Sequence, residues 1–369
     1  MKKLTLLVVL FVQFVTAQEF ALVKQGDKFG YISKTGEYAI LPKFKDAKNF
    51  SDGLAAALDN GNWGFINSKG DWVIPATFTK VKYFNSGLCL VEKEKRWFYI
   101  DKTGKEMQMP VSEKLYDFED GVAFIRQGEN IGLINPKGEV ILQPKYQVIK
   151  SFEGNYARVK NNDKWGIIDK SGKEVVNTEY DEIGNYYKNT TWARKGEAFG
   201  LVKANAFKQV EGADKIWDFH SEDLTYARKN KKMGFIDLNG NWAIEPKFEK
   251  VRAFSKSLAP VLEGKKWGYI NTKGEFVVLP MYDDAEVFSA DGLAAVKSKD
   301  WGFIDANGKL VIPTNYQITA VGFSMFNSED KGFVNGLARV KANKKWCFLK
   351  PDGSILGNQY FDNAELFQK

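Results

Sequence analysis

The sequence predicts an all-β fold of ten tandem antiparallel β-meander units, and three observations carry that expectation. A glycine with an apolar residue before it returns at a fixed interval, a second glycine follows at a fixed place after it, and only short apolar runs lie between. The position before the first glycine is held by Phe29, Trp63, Trp97, Ile131, Trp165, Phe199, Met233, Trp267 and Trp301, each 34 residues after the last. Trp346 follows after 45, which places an 11-residue insertion near 322–332 of the ninth unit. Eight steps without a gained or lost residue mean that each unit does the same geometric job.

The elements of a unit follow in order. "GLAAV" (292–296) and "WGFI" (301–304) are β-type runs joined by a tight polar turn. Asp or Asn then begins a four-residue turn closed by Gly, as in "DKTG" (101–104) and "NSKG" (67–70). Its side chain accepts a bond from the backbone ahead, and the glycine takes the left-handed region. Gly70, Gly104, Gly138, Gly172, Gly240, Gly274, Gly308 and Gly353 hold that place, and Ala206 replaces it in unit six. Pro136 and Pro351 fall at the second turn position, where φ near −65° is wanted. A third run such as "LVIP" ends at a proline, which has no N–H for a central ladder. Aromatic residues recur 15 and 21 places into the unit, among them Phe44, Tyr180 and Tyr282, then Phe50, Phe254 and Phe288. The segment between them ("YDDAEVFS", 282–289) reads equally as a fourth strand or as a connector.

One unit has too little apolar surface to fold alone, and stacking ten buries a continuous core. Trp63, Trp97, Trp165, Trp267, Trp301 and Trp346 are read as part of that core; a row of sugar-stacking platforms is the alternative.

Units of the form "KWGFI(D/N)xxG", then "VIxPxY", then "FSxGLAxV", resemble the WG (also called KWG) repeat proteins of bacteria. The resemblance covers about residues 20–369. It implies an all-β repeat fold, usually in exported or envelope-associated proteins, with no established chemistry and no catalytic residues to carry over. The chain departs from the pattern at Ile131, Phe199 and Met233, which replace Trp, and at Phe98 and Cys347, which replace Gly. Two architectures bury such units: a curved, solenoid-like superhelical array with open ends, or a closed propeller-like ring. The open array is the leading expectation, because ten blades are many for a ring and 34 residues are few for a four-stranded blade.

Residues 1–17 read as a secretory leader: Lys2 and Lys3, an apolar run over 4–15, and small residues at Val15 and Ala17 before Gln18. Residues 18–369 then form one β domain, with no later segment apolar enough to cross a bilayer. Loss of the leader lowers the formal charge from +7 to +5, spread along the chain, which argues against nucleic acid as a partner. Cys89 and Cys347, the only cysteines, read as two unrelated buried thiols.

No catalytic residues, metal site or cofactor motif is expected. His220, the only histidine, lies in "IWDFHSEDL" within the degenerate sixth unit. With Asp218, Glu222 and Asp223 it could form a local site for a cation or sugar, or it could be a surface residue of a drifted unit. Lys232, Lys266 and Lys345 stand in turns that stacking would align into a basic rim. Phe326 lies in the insertion, the best guess for a unique contact loop. The function expected is a non-catalytic, exported binding or scaffold protein of the bacterial envelope, periplasmic, cell-surface or secreted, with a protein or glycan partner. The alternative is a divergent carbohydrate-active enzyme acting near unit six.

Overall fold

The computed structural model describes residues 19–220, 222–318 and 332–368. The leader, and the insertion with Phe326, lie outside the described residues apart from Gly332. The chain forms ten small antiparallel sheets arranged as blades; seven have four strands and three have three. Blade two shows the pattern: a connector strand (Ala47–Ser51), the Gly-Leu-Ala strand (Leu54–Asp59), the Trp-Gly strand (Asn62–Ile66) and the proline strand (Trp72–Phe78). The undecided connector is thus a fourth strand, in most blades only two residues long, such as Lys80–Val81 and Asp284–Ala285. That brevity is how 34 residues suffice for four strands. A blade joins the tail of one sequence unit to the head of the next, so its boundaries are out of phase with the repeated phrase.

Burial follows position in the blade. Leu54, Ala55, Ala56 and Ala57 are all buried because both faces of their strand meet a neighbouring blade. Ala55 and Ala57 pack with Phe20 and Tyr31 of blade one, while Leu54 and Ala56 pack with Val91 and Ile100 of blade three. Small residues leave room for aromatic rings there. The proline strand is a blade edge, and within Trp72–Phe78 only Ile74 and Phe78 are fully buried. The aromatic at place 21 meets the residue two after the Trp position, which Met233 holds in one of these units: Phe65–Phe84, Phe235–Phe254 and Tyr269–Phe288 lie 4.7, 4.6 and 5.2 Å apart at their ring centroids. The tryptophans are less deep than expected. Trp301 is buried, but Trp63, Trp97, Trp165, Trp267 and Trp346 are only half-buried. Cations lie over several of these rings, Lys150 over Trp165 at 5.9 Å and Arg252 over Trp267 at 4.8 Å.

The two repeating glycines have different jobs. Asp305 Oδ1 accepts the backbone N–H groups of Asn307 and Lys309, and Gly308 closes the turn at φ +82°. The glycine after Trp faces a register shift in the proline strand. A Cβ on Gly302 would lie 2.5 Å from the Ile312 carbonyl oxygen, so only glycine admits the bulged strand. Phe98 and Cys347 replace this glycine, and in those blades the proline strand is lost; isolated bridges such as Ile100–Glu106 and Leu349–Ile355 remain.

Of the two architectures the sequence allowed, the chain builds the closed ring. Asn363–Ala364, from the C-terminal end, is the connector strand of blade one and pairs with Phe20–Gln25. Phe20 and Gln368 exchange both backbone hydrogen bonds, at 2.8 and 2.9 Å. Apolar residues of both ends share one cluster, with Val23 and Ile32 against Phe348, Phe361 and Ala364.

Cys89 and Cys347 are buried, unpaired and in separate clusters. Burial pushes the Cys347 thiol up to about 11 and the Cys89 thiol higher still. The thiolate is the reactive form, so a thiol reagent at pH 8 should find neither cysteine until the protein is denatured, and then both. Rapid reaction of one thiol in the native protein would contradict this packing.

Candidate functional site: a pocket at the ring seam

One charged arrangement recurs where neighbouring blades join. Lys266 pairs with Asp283 at 2.6 Å, and the other carboxylate oxygen of Asp283 accepts the Lys299 N–H at 3.2 Å. Lys164, Asp181 and the Gly196 N–H repeat this arrangement. At the seam Lys345 pairs with Asp362, which accepts the Gly26 N–H at 2.8 Å. The closure therefore uses the same rung as the interior joints. The lysine ammonium first, then the backbone N–H, holds each of these aspartates below its ordinary pKa. The folded values are depressed, so this stability is present above the ordinary carboxylate pKa and is lost as pH falls through the lowered one. Lys266 and Lys345 are thus tied to aspartates within the ring. Lys232 is exposed at the matching place in blade seven.

The residues singled out in unit six sit at the junction with blade six. Asp218 accepts the Asn185 N–H at 2.8 Å and the Trp192 indole N–H at 2.7 Å. Asp223 pairs with Lys188 at 2.6 Å. Both carboxylates are brought to the same stretch, 185–192, and both are used to hold it. His220 is exposed beside them. Among the described residues no group of three His, Cys, Asp or Glu is placed to hold a metal ion.

The connector strands present one further repeating position. At intervals of 34 it holds Lys48, Lys82, Tyr116, Lys150, Gly184, Asp218, Arg252 and Glu286, and in the last unit Glu365. Arg252 is matched by Asp284 at 3.0 Å and Glu286 at 3.1 Å. Glu365, buried, meets Arg339 at 3.6 Å. Lys48 differs. Its ammonium lies 5.5 Å from the Trp63 ring and 5.3 Å from the Tyr83 ring, and among the described residues no carboxylate is within ion-pair distance. Burial pushes its pKa down, opposed by Asp46 and aided by Lys82.

Lys48 lines a pocket of about 440 Å³ shared by blades one and two and the C-terminal segment that closes the ring. Phe29, Asn49, Trp63, Tyr83 and Glu365 also line it. Asn49 is 7% exposed, and its side-chain oxygen has no hydrogen-bond partner. Wider, shallower clefts lie elsewhere along blades one to three, lined by Lys43 and Trp72 or by Arg96 and Phe98. They are more open to solvent, so the seam pocket is the better-formed site. No local signal in the sequence marks it. Lys48 and Asn49 look like ordinary members of the period, and only closure brings Glu365 beside them.

The family model for the WG containing repeat matches residues 29–63, 63–97, 97–130, 131–165, 165–197, 233–267, 267–300, 301–318 and 331–346. Of the two interior gaps, 319–330 falls in the insertion, and the longer, 198–232, is unit six, where the turn glycine and the proline are missing. No curated protein matches the chain. Among solved structures, the crystal structure of the eukaryotic initiation factor covers 95% of this chain over 98% of its own length, at 10% identity and a TM-score of 0.51, a likeness of fold alone. Kluyvelomyces marxianus Hsv2 covers 71% of this chain over 96% of its own, at 11% identity and a TM-score of 0.30. An extracellular domain from B. thetaiotaomicron covers 90% over 57%, at 10% identity and 0.31. At those scores neither bears on this chain's function. With matches in phase over most of its length, the chain belongs to the WG containing repeat family.

Proposed function

We propose that the protein is a non-catalytic binding protein, exported from the cell, that uses its closed ring as a rigid platform for a protein or glycan of the cell envelope. The observation behind this reading is how the polar groups are used. Repeated lysine–aspartate rungs join neighbouring blades, and Lys48 and the Asn49 side-chain oxygen, which no such rung uses, both line one pocket on the seam. A uniform array with one differing site suits recognition; catalysis asks for a positioned acid, base or nucleophile. A saccharide-cleaving centre at His220, Asp218 and Asp223 draws no support from carboxylates already committed to Trp192 and Lys188. Among the described residues no helix is long and apolar enough to cross a membrane.

The test is affinity capture by residues 18–369 on solubilised envelope material, with proteins and glycans both analysed. One dominant partner, recovered unaltered, is the expected result. Release of cleaved glycan during the incubation would overturn the non-catalytic reading. An intact leader on protein recovered from the cytoplasm would overturn export.

A further inference from the structure

Resting on the binding-protein reading, we propose that the seam pocket is a subsite for an acidic sugar residue, a pyranose bearing one carboxylate. The pocket's own chemistry selects this class. Besides Glu365 its lining carries two cations, Lys45 and Lys48, and one carboxylate, Asp46, a surplus of one positive charge, together with one unpartnered neutral acceptor, the Asn49 side-chain oxygen. The charge of Glu365 is met by Arg339, so the pocket does not call for a second cation from the ligand. The complement is therefore one anion together with neutral donors, which a carboxylate and hydroxyl groups supply.

The walls account for the ring. Trp63, Tyr83 and Phe29 offer aromatic surface, and Tyr83 is 41% exposed. Aromatic faces receive the C–H face of a pyranose, while its hydroxyls turn to polar groups. A volume of about 440 Å³ holds one or two sugar residues. An ammonium beside aromatic rings in partly desolvated surroundings binds a carboxylate more strongly than an exposed surface lysine does. Asn49 adds a cost to the empty state, because a buried acceptor without a partner is unfavourable and a ligand hydroxyl removes that penalty. The pocket draws on both ends of the chain, so an occupant bridges the seam and stabilises the closed ring by mass action.

The experiment is ligand-observed NMR and calorimetry on residues 18–369, with glucuronate and galacturonate as probes and glucose and acetate as comparisons. Binding of a uronate with a raised melting temperature, and at least tenfold weaker binding of glucose and of acetate, is expected. Lys48→Met should weaken uronate binding at least tenfold, Lys48→Arg should retain most of it, and Asn49→Leu should weaken it several-fold. Unchanged melting curves without ligand would establish that the variants fold. Equal binding of glucose, or full affinity in Lys48→Met, would overturn the site. Acetate binding as well as uronate would reduce it to an anion site and overturn the sugar assignment. The NMR spectra keep the two readings apart. A uronate that binds and is chemically altered overturns the non-catalytic function and leaves the site. A uronate that does not bind overturns the site and leaves the platform to the capture experiment.

Discussion

Removing residues 359–369 should cost about 5 kcal/mol or more, because a buried phenylalanine alone contributes roughly 3–5 kcal/mol. Phe361 is 1% exposed, and Ala364 and Phe367 pack in the same cluster with Val23 and Ile32. The deletion also removes the backbone pairing at Phe20–Gln368 and Val23–Ala364, and the Asp362 rung to Gly26. Denaturant titration measures the loss, and a larger hydrodynamic radius would report the opened ring. Such a protein could simply fail to fold, so a circular permutant supplies the decisive comparison. Joining Gln368 to Phe20 through a short linker, and opening the exposed turn at Asn162–Asp163, keeps every blade while moving the ends. A closed ring should lose no more than about 2 kcal/mol, since exposed turns tolerate new termini. Collapse of the permutant, together with full stability of the truncated chain, would show that the ends are not joined.

Gly302→Ala should cost about 3 kcal/mol, the upper range for overpacking a site that cannot relax. The added methyl would sit 2.5 Å from the Ile312 carbonyl oxygen, and the obstacle is backbone, so the bulged proline strand must move or detach. Detachment is the state seen where Phe98 and Cys347 hold the place, and those blades have no proline strand. Gly264→Asn is the matched control. Gly264 has φ +61°, Asn230 occupies the equivalent position at φ +53°, and no atom lies within 4 Å of a Cβ there. That change should stay within about 0.5 kcal/mol. If thermal or chemical unfolding gave the two variants equal stability, the close approach at Gly302 would not be the reason for the glycine.

Much of the fold was legible because its causes are local. The Asp305 turn closes within five residues, and Gly308 at φ +82° is a demand of one backbone position. The expectation of buried tryptophans was met at Trp301 but only in part at Trp63, Trp165 and Trp267; a lysine or arginine lies over each of the four rings. Sequence pointed to the degenerate sixth unit for function. The structure shows what its carboxylates do instead: Asp218 holds Trp192, and Asp223 holds Lys188. The pocket sits in units that look regular, so departure from the repeat was a poor guide to it.

By itself the sequence determined the period, the number of units, the strand and turn chemistry of each, and the family, since all of these rest on contacts within one unit or between neighbours. Only the tertiary structure decided that the array closes. Whole units are equally consistent with open ends, and the bonds that distinguish the two, such as Gly26 to Asp362, join residues 336 apart. The pocket follows from the same step. Lys48 and Asn49 gain Glu365 as a neighbour only when the last strand pairs with the first, and no local pattern encodes that meeting.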